Sequence, residues 1–239
     1  IRAINRVNSK VKKVSFPKIH VRIRNIPIGI DAWIFYEKDK KFRMQNRTIF
    51  GKETDIGSNE DHFWFWSRTM KPKALYYAQH KDIGDIQLKT PFHPIWMMET
   101  MGFSEIDMHN AEIVPEGNNW MIIQPREGAM GQPVKKGTLI DTANQRIIGH
   151  YLYDMDDSLM ASSEVLVFQK INGMDVISKT RVIWHQEEIY MEWNMNRPSI
   201  NTEIDEDYFD IPKYKDTIDM GTYRPPGEDL IFRDPNFRS

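Results

Sequence analysis

Apolar and polar residues alternate with a period of two over much of this chain, the signature of half-buried β-strands. In "SFPKIHVRIRN" (15–25) Ile19, Val21 and Ile23 share one face, and Lys18, His20, Arg22 and Arg24 share the other. That spacing predicts a strand with a basic exposed side. "GIDAWIFYEKDKKFRMQNRT" (29–48) reads as two strands joined by a charged turn at 37–41, and "KALYYAQHK" (73–81) as a further strand after Pro72. From 111 to 197 strand-like runs resume: "NNWMIIQP", "KGTLIDTANQRIIGHYLYDMD", "ASSEVLVFQKI", "DVISKTRVIWHQ" and "EEIYMEWNMN". Asn172-Gly173 and Asp156-Asp157 supply the turns expected between antiparallel neighbours.

Two segments switch to helical spacing. Ile1, Ile4, Val7 and Val11 recur every three to four residues and predict a short amphipathic helix. In "TPFHPIWMMETMGFSEI" (90–106) Thr90 or His93 is suited to the cap, Pro94 to the first turn and Gly102 to the stop. Ile95, Met98 and Met101, with Trp96 and Met97 beside them, leave this helix apolar around most of its circumference, so it must be covered. Beyond Pro198 the chain is acidic and reads as extended with a helical turn. The runs amount to about ten strands. The expected fold is mainly β (α+β), a single strongly curved antiparallel sheet with helices over one side.

One stretch breaks the alternation. In "DIGSNEDHFWFWSR" (55–68) Phe63, Trp64, Phe65 and Trp66 follow one another, so both faces of that strand carry large rings. One face is expected to line the interior, and the other to pack against a lipid surface, a partner protein or the chain's own acidic tail.

Composition narrows the functional classes. The formal net charge is −2, which gives no overall field for nucleic acid. Residues 1–30 nevertheless hold eight Lys/Arg and no acid, while 201–239 hold ten Asp/Glu against five Lys/Arg. The ends either neutralise each other or sit solvated, or they present residues 2–24 to an anionic membrane surface or an acidic partner. The absence of cysteine excludes disulfides, thiolate metal sites and Cys nucleophiles. No apolar run approaches the roughly 20 residues that span a bilayer. A start at Ile1 rather than Met leads us to expect a processed or trimmed N-terminus, and the expected protein is exported and either soluble or lipid-anchored upstream of Ile1.

Catalytic signatures are missing. His20, His62, His80, His93, His109, His150 and His185 form no H-E-x-x-H or H-x-H arrangement. "DMDDS" (154–158) and "DIGSNED" (55–61) lack the frame of a calcium loop. No G-x-S-x-G elbow or phosphate-cradling loop occurs. Glu99, Glu105, Glu187 and Glu188 show no convergence from spacing alone, as a glycosidase would require. No enzyme, metal or cofactor is expected. What remains is apolar density: 14 Met, 7 Trp, 12 Phe and 9 Tyr in 239 residues. Thioethers and rings adapt to irregular apolar ligands, so the pattern points to an apolar cavity.

The order of segments resembles a known family. An N-terminal helix leads to "SFPKIHVRI", then "GIDAWIFYEKDKKFRM", "DIGSNEDHFWFW", "HPIWMMETMGF" and late in the chain "SINTEIDEDYFDIP". This succession is similar to the LolA/LolB-like outer-membrane lipoprotein carriers, most of all to lipoprotein-type members from planctomycete-like bacteria. The resemblance implies an incomplete barrel over residues 1–220 with a helical lid, followed by an extended tail at 221–239. It implies non-catalytic binding of lipid or lipoprotein acyl chains, in the periplasm or at the outer membrane. The expected lining is Trp33, Phe35, Phe42, Met44, Phe63, Phe65, Tyr77, Trp96, Met98 and Met101. Lys38, beside the first hairpin turn, falls where the family has a basic lid latch. Its neighbours Glu37 and Asp39 depart from the family's pattern, and a lysine lacks arginine's forked donors. The alternative expectation is a structural subunit of an envelope or extracellular assembly, with a filled interior and a protein partner.

Overall fold

One antiparallel ladder runs through nearly every strand. The structure, a computed structural model, describes residues 1–24, 29–38, 41–48, 51–85, 96, 99–128, 132–185 and 188–222. Helix α1 (Arg2–Asn8) leads into β1 (Lys13–Ile23), β2 (Ile30–Glu37), β3 (Lys41–Thr48), β4 (Gly51–Ser58), β5 (His62–Ser67) and β6 (Leu75–Gln79). A 3-10 turn at His80–Asp85 follows, and Trp96, Glu99 and Thr100 are helical. Then come β7 (Glu112–Glu116), β8 (Asn119–Glu127), β9 (Pro133–Asp141), β10 (Arg146–Tyr153), β11 (Leu159–Ile171), β12 (Met174–Trp184) and β13 (Ile189–Met195). Last are β14 (Ser199–Ile200), a 3-10 turn at Glu206–Phe209 and β15 (Thr217–Asp219). Thr90, His93, Pro94, Ile95, Met97 and Met98 of the expected central helix lie outside the described residues. The stop predicted at Gly102 is present, at a φ of +78°.

Among the described residues 15 strands form one curved, unclosed sheet, in the order β15-β6-β5-β4-β3-β2-β1-β13-β12-β11-β10-β9-β8-β7, with β14 also on β1. β15 alone pairs in parallel, against β6. This is the expected mainly-β architecture with more strands than alternation revealed. β4 (GKETDIGS) and β7 (EIVPE) are too polar to stand out, and β14 and β15 have only 2 and 3 residues. The single run read over 136–156 divides into β9 and β10. At the turn between them the Asp141 carboxylate accepts from the Asn144 backbone N–H at 3.0 Å.

β1 changes face midway. A register shift between Phe16 and Ile19 inserts an extra residue against β2, with Pro17 in the bulge. Val14 and Phe16 before it, and Ile19 and Val21 after it, therefore all point inward and are buried. These side chains join the main apolar cluster, which takes in Ile34, Phe42, Ile56, Phe63, Phe65 and Tyr76 from β2 to β6 and Val182, Trp184, Met191 and Trp193 from β12 and β13. A second cluster lies under α1, where Ile4 packs with Ile106, Ile122, Ile140 and Ile147.

The outer face of β5 and β6 forms a third cluster. Trp64, Trp66 and Leu75 pack with Tyr77 and with Ile211 and Tyr214 of the C-terminal segment. Trp64 lies flat over its cross-strand partner Gly57, where a β-carbon would meet the indole at 2.2 Å. Gly57→Ala is therefore expected to destabilise the fold by about 1–3 kcal/mol, the usual range for overpacking. Urea unfolding checks this, and in a Trp64→Leu background the added cost of the alanine should shrink.

Candidate functional site

Interior and outer faces separate the expected lining into two groups. Phe42, Met44, Phe63 and Phe65 share the inner face because Phe42 pairs with Tyr36 and Ser58, and Met44 with Ile34 and Ile56. Phe65 stacks on Tyr76 at 5.2 Å between ring centres. Trp96 and Met101 meet this face from the covering segment, with Trp96 edge-on to Trp184 at 5.4 Å. Met98 lies outside the described residues. Trp33, Phe35 and Tyr77 do not belong with the others. Pairing in β2 turns Ile34 and Tyr36 inward and so leaves Trp33 and Phe35 outside, and Tyr77 pairs with Trp64 on that same outer side.

The outer face is closed by the chain's own tail. Phe35 stacks on Tyr208 at 4.3 Å, and Trp66 on Tyr214 at 5.2 Å. Beneath the tail Asp55 is wholly buried. It accepts from Arg43 Nε at 3.0 Å and Nη2 at 2.8 Å, from Gln45 Nε2 at 2.7 Å and from Lys52 Nζ at 3.0 Å. Arg43 Nη1 also donates to the Tyr208 carbonyl at 3.0 Å, so the network fastens the tail as well as the strands.

Polar groups fasten the cover on the inner face. Asn5 Nδ2 donates to the Ile106 carbonyl and the Ile106 N–H donates to Asn5 Oδ1, each at 2.8 Å. Asn8 Nδ2 donates to the carbonyls of Gly102 and Ser104 at 3.1 and 2.8 Å. Lys136 Nζ reaches Glu99 Oε1 at 2.6 Å, both side chains being nearly inaccessible. Between α1, residues 101–103 and the tips of the β9–β10 and β11–β12 hairpins lies a groove of about 240 Å³. Val7, Val11, Met101, Phe103, Val176 and Ile177 line it, and all but Val7 belong to the main apolar cluster. Elsewhere, among the described residues, the inner face is covered by its own side chains: Ile34 and Phe42 are both 0% exposed.

Solved structures with this arrangement share an architecture at very low sequence identity. A domain from Vibrio parahaemolyticus, described as an outer membrane lipoprotein-sorting protein, is similar with a TM-score of 0.59 at 10% identity, over 87% of this chain and 94% of that one. A DUF1329 family protein from Desulfovibrio piger gives 0.59 at 11% identity, over 87% and 93%. A LolA superfamily protein from Nitrosomonas europaea gives 0.54 at 7% identity, over 88% and 97%. This chain has the LolA-like fold. No family model and no curated protein matches its sequence.

Within the LolA-like frame Lys38 stands beside the first hairpin turn and pairs with Glu105, just past the covering helix. Glu99 and Glu105 therefore take separate lysines and do not converge as a pair of carboxylates. Among the described residues no group of three or more His, Asp or Glu is placed to hold a metal.

Sequence reasoning missed the buried polar patch around Lys136. On the inner face of β9 and β10, Thr138 is paired with His150, and Thr138 Oγ1 lies 3.5 Å from His150 Nδ1. Burial pushes the Lys136 ammonium down despite the opposing charge of Glu99. Burial, with the charge of Lys136 adding to it, pushes His150 from 6.5 down to about 3. The folded pKa lies below the unfolded one, so neutral His150 gives its full stabilisation above pH 6.5. As pH falls from there toward 3, this one group is expected to remove about 1.4 kcal/mol of stability per unit. Urea midpoints between pH 7 and pH 4 should show the decline, and His150→Gln should flatten it.

Proposed function

We propose that this protein is a non-catalytic carrier that holds an acyl chain of a lipid or lipoprotein between its curved sheet and its cover. In this reading it works in the periplasm or at the outer membrane. The observation that carries the reading is the groove beside α1, which opens directly onto the main apolar cluster. Its volume falls below the roughly 300 Å³ at which ligand pockets begin. It therefore admits the end of a chain as it stands, and a whole chain when the cover shifts. About six buried methylenes contribute on the order of 5 kcal/mol before ordering costs, which is already in the millimolar range or better. The lipoprotein-sorting description of a protein of the same fold is consistent with such a ligand. Arg2, Arg6, Lys10 and Lys12 are exposed on and just after α1, beside the groove, and suit contact with an anionic membrane during loading.

The closely filled inner face favours a second reading, in which the same fold is a structural subunit of an envelope assembly. A direct titration separates the two. Delipidated protein should enhance the fluorescence of cis-parinaric acid and quench its own tryptophan emission. Val7→Trp fills the groove at a position that is 41% exposed, so folding should be preserved. It is expected to weaken binding by about tenfold, the equivalent of about 1.4 kcal/mol. Absence of binding by the native chain removes the carrier reading and leaves the subunit.

A further inference from the structure

On the outer face of β8–β10 two tyrosine rings lie flat. Gly149, Tyr151 and Tyr153 alternate along β10, and Gly137 of β9 pairs with Tyr151. A β-carbon at Gly149 would meet Tyr151 Cε2 at 3.1 Å and its hydroxyl at 3.3 Å, and one at Gly137 would meet Tyr153 Cε2 at 3.4 Å. Each ring therefore leans back along the strand onto a glycine. Together they form a shelf, with ring centres 6.4 Å apart and planes 20° apart. Trp64 over Gly57 is built in the same way, but there Ile211 and Tyr214 of the tail complete the packing. Tyr151 and Tyr153 belong to none of the three apolar clusters and stay partly exposed.

The charge around this shelf is predominantly negative. Glu164 of β11 stands opposite Gly149, Glu112 opposite Ile123, and Glu116 ends β7. Among the described residues Glu112 and Glu116 form no ion pair. Of the nearby cations, Lys135 is taken by Asp157 at 2.6 Å, and Arg181 is shared between Glu164 and Glu192. Burial first, and then the carboxylates of Glu164 and Glu116, hold the Tyr151 hydroxyl above its ordinary range. Elsewhere on the outer face the chain supplies cations to its own rings: Arg24 lies 4.2 Å from the centre of Tyr190, and Arg47 5.4 Å from that of Trp33. Among the described residues no cation lies over Tyr151 or Tyr153. An aromatic face attracts a cation through its quadrupole, and a planar guanidinium can also stack on it. We propose that this face is a docking site for an arginine-bearing segment of a protein partner, the guanidinium lying on Tyr151 and Tyr153 with Glu116 and Glu164 as counter-charges. The same negative field turns away an anionic membrane, so the partner is a polypeptide and not a lipid surface. The shelf lies on the opposite side of the sheet from the groove beside α1. The inference therefore goes beyond the acyl-chain reading and does not depend on it.

The test titrates the whole chain, labelled with 3-fluorotyrosine, with the peptide Gly-Arg-Gly-Arg-Gly and its lysine and glutamate counterparts. Fluorine NMR of Tyr151→Phe and Tyr153→Phe assigns the two resonances, and the anisotropy of a coumarin-labelled peptide gives affinities. The arginine peptide should shift Tyr151 and Tyr153 before any other tyrosine, the lysine peptide should bind more weakly, and the glutamate peptide should not bind. Tyr151→Leu and Tyr153→Leu should each weaken the arginine peptide about two- to fivefold, the range of an exposed cation–π contact, while the phenylalanine variants keep it. Glu116→Gln should weaken it about twofold and reduce its dependence on salt. Circular dichroism checks that the variants are folded, and the resonance shifts of the native chain with Glu116→Gln still decide the matter if a leucine variant is not. Three results overturn the proposal. Unmoved resonances mean that the shelf is not a site. Lysine binding as tight as arginine, unaffected by the leucine variants, reduces it to a diffuse charge effect. Free arginine that shifts the resonances as strongly as the peptide makes it a small-cation site, and a shift on raising protein concentration alone makes it a contact between copies.

Discussion

Strand β1 is hydrogen-bonded on both sides, to β2 along one edge and to β13 and β14 along the other, and the whole sheet depends on that double pairing. Strands β2 to β6 form one meander and β7 to β13 another. Among the described strands β1 alone ladders to both. Its bulge at Pro17 turns an eleven-residue strand so that two stretches of different parity face the same interior. Without the extra residue either Val14 and Phe16 or Ile19 and Val21 would point outward. Each of these is fully or almost fully buried, so the loss would be about 1.5–3 kcal/mol per side chain. A proline at the bulge also costs no ladder bond, since it has no N–H to offer.

The two faces of the sheet are stabilised by different means, and magnitudes show which matters more on each. On the outer face the tail covers Trp64, Trp66 and Tyr77, large rings whose burial is favourable wherever the charges beneath them go. The Arg43–Asp55 network under the tail contributes little net energy compared with an apolar filling of the same volume. Removing one partner is another matter, because an orphaned buried charge costs about 3–5 kcal/mol. The network therefore acts as a register device. It accepts Tyr208 only where the Arg43 fork can reach its carbonyl. On the inner face the apolar cluster provides the energy, and the polar contacts of Asn5, Asn8, Lys38 and Lys136 determine where the cover sits.

Alternation made most of the long strands legible, as did the resemblance of segment order to the LolA-like carriers, because strands with one wet face carry their period openly. That both faces of the "FWFW" strand are covered was legible, but not which of them turns inward: Phe63 and Phe65 do, and Trp64 and Trp66 face the tail. Which face of β2 points inward was not. Trp33 and Phe35 were expected as lining, yet the inward side holds Ala32, Ile34 and Tyr36, a choice set by pairing with β1 and β3. Sequence alone does not contain that register. Lys136 did leave a signal, a lysine between Val134 and Ile140 on the face that also carries Thr138, but an isolated lysine in a strand reads as solvated. Only its burial against Glu99 reveals it as part of the interior.

The proposed carrier role requires a cover whose detachment is nearly balanced by what the ligand brings. Among the described residues Trp96, Met101 and Phe103 are the cover's apolar side chains in the main cluster, and burying them contributes about 5–9 kcal/mol. About ten methylenes of an acyl chain contribute on the order of 8 kcal/mol in the same environment. The remaining attachments among the described residues are hydrogen bonds worth about 0.5–1.5 kcal/mol net and two ion pairs, Lys136–Glu99 and Lys38–Glu105, close to break-even with water. Such contacts exchange with solvent at small net cost, whereas the Trp64–Gly57 contact and the Asp55 network on the opposite face do not. The fold thus confines its exchangeable contacts to the inner side and its rigid ones to the outer side, which is the division that the proposed carrier requires.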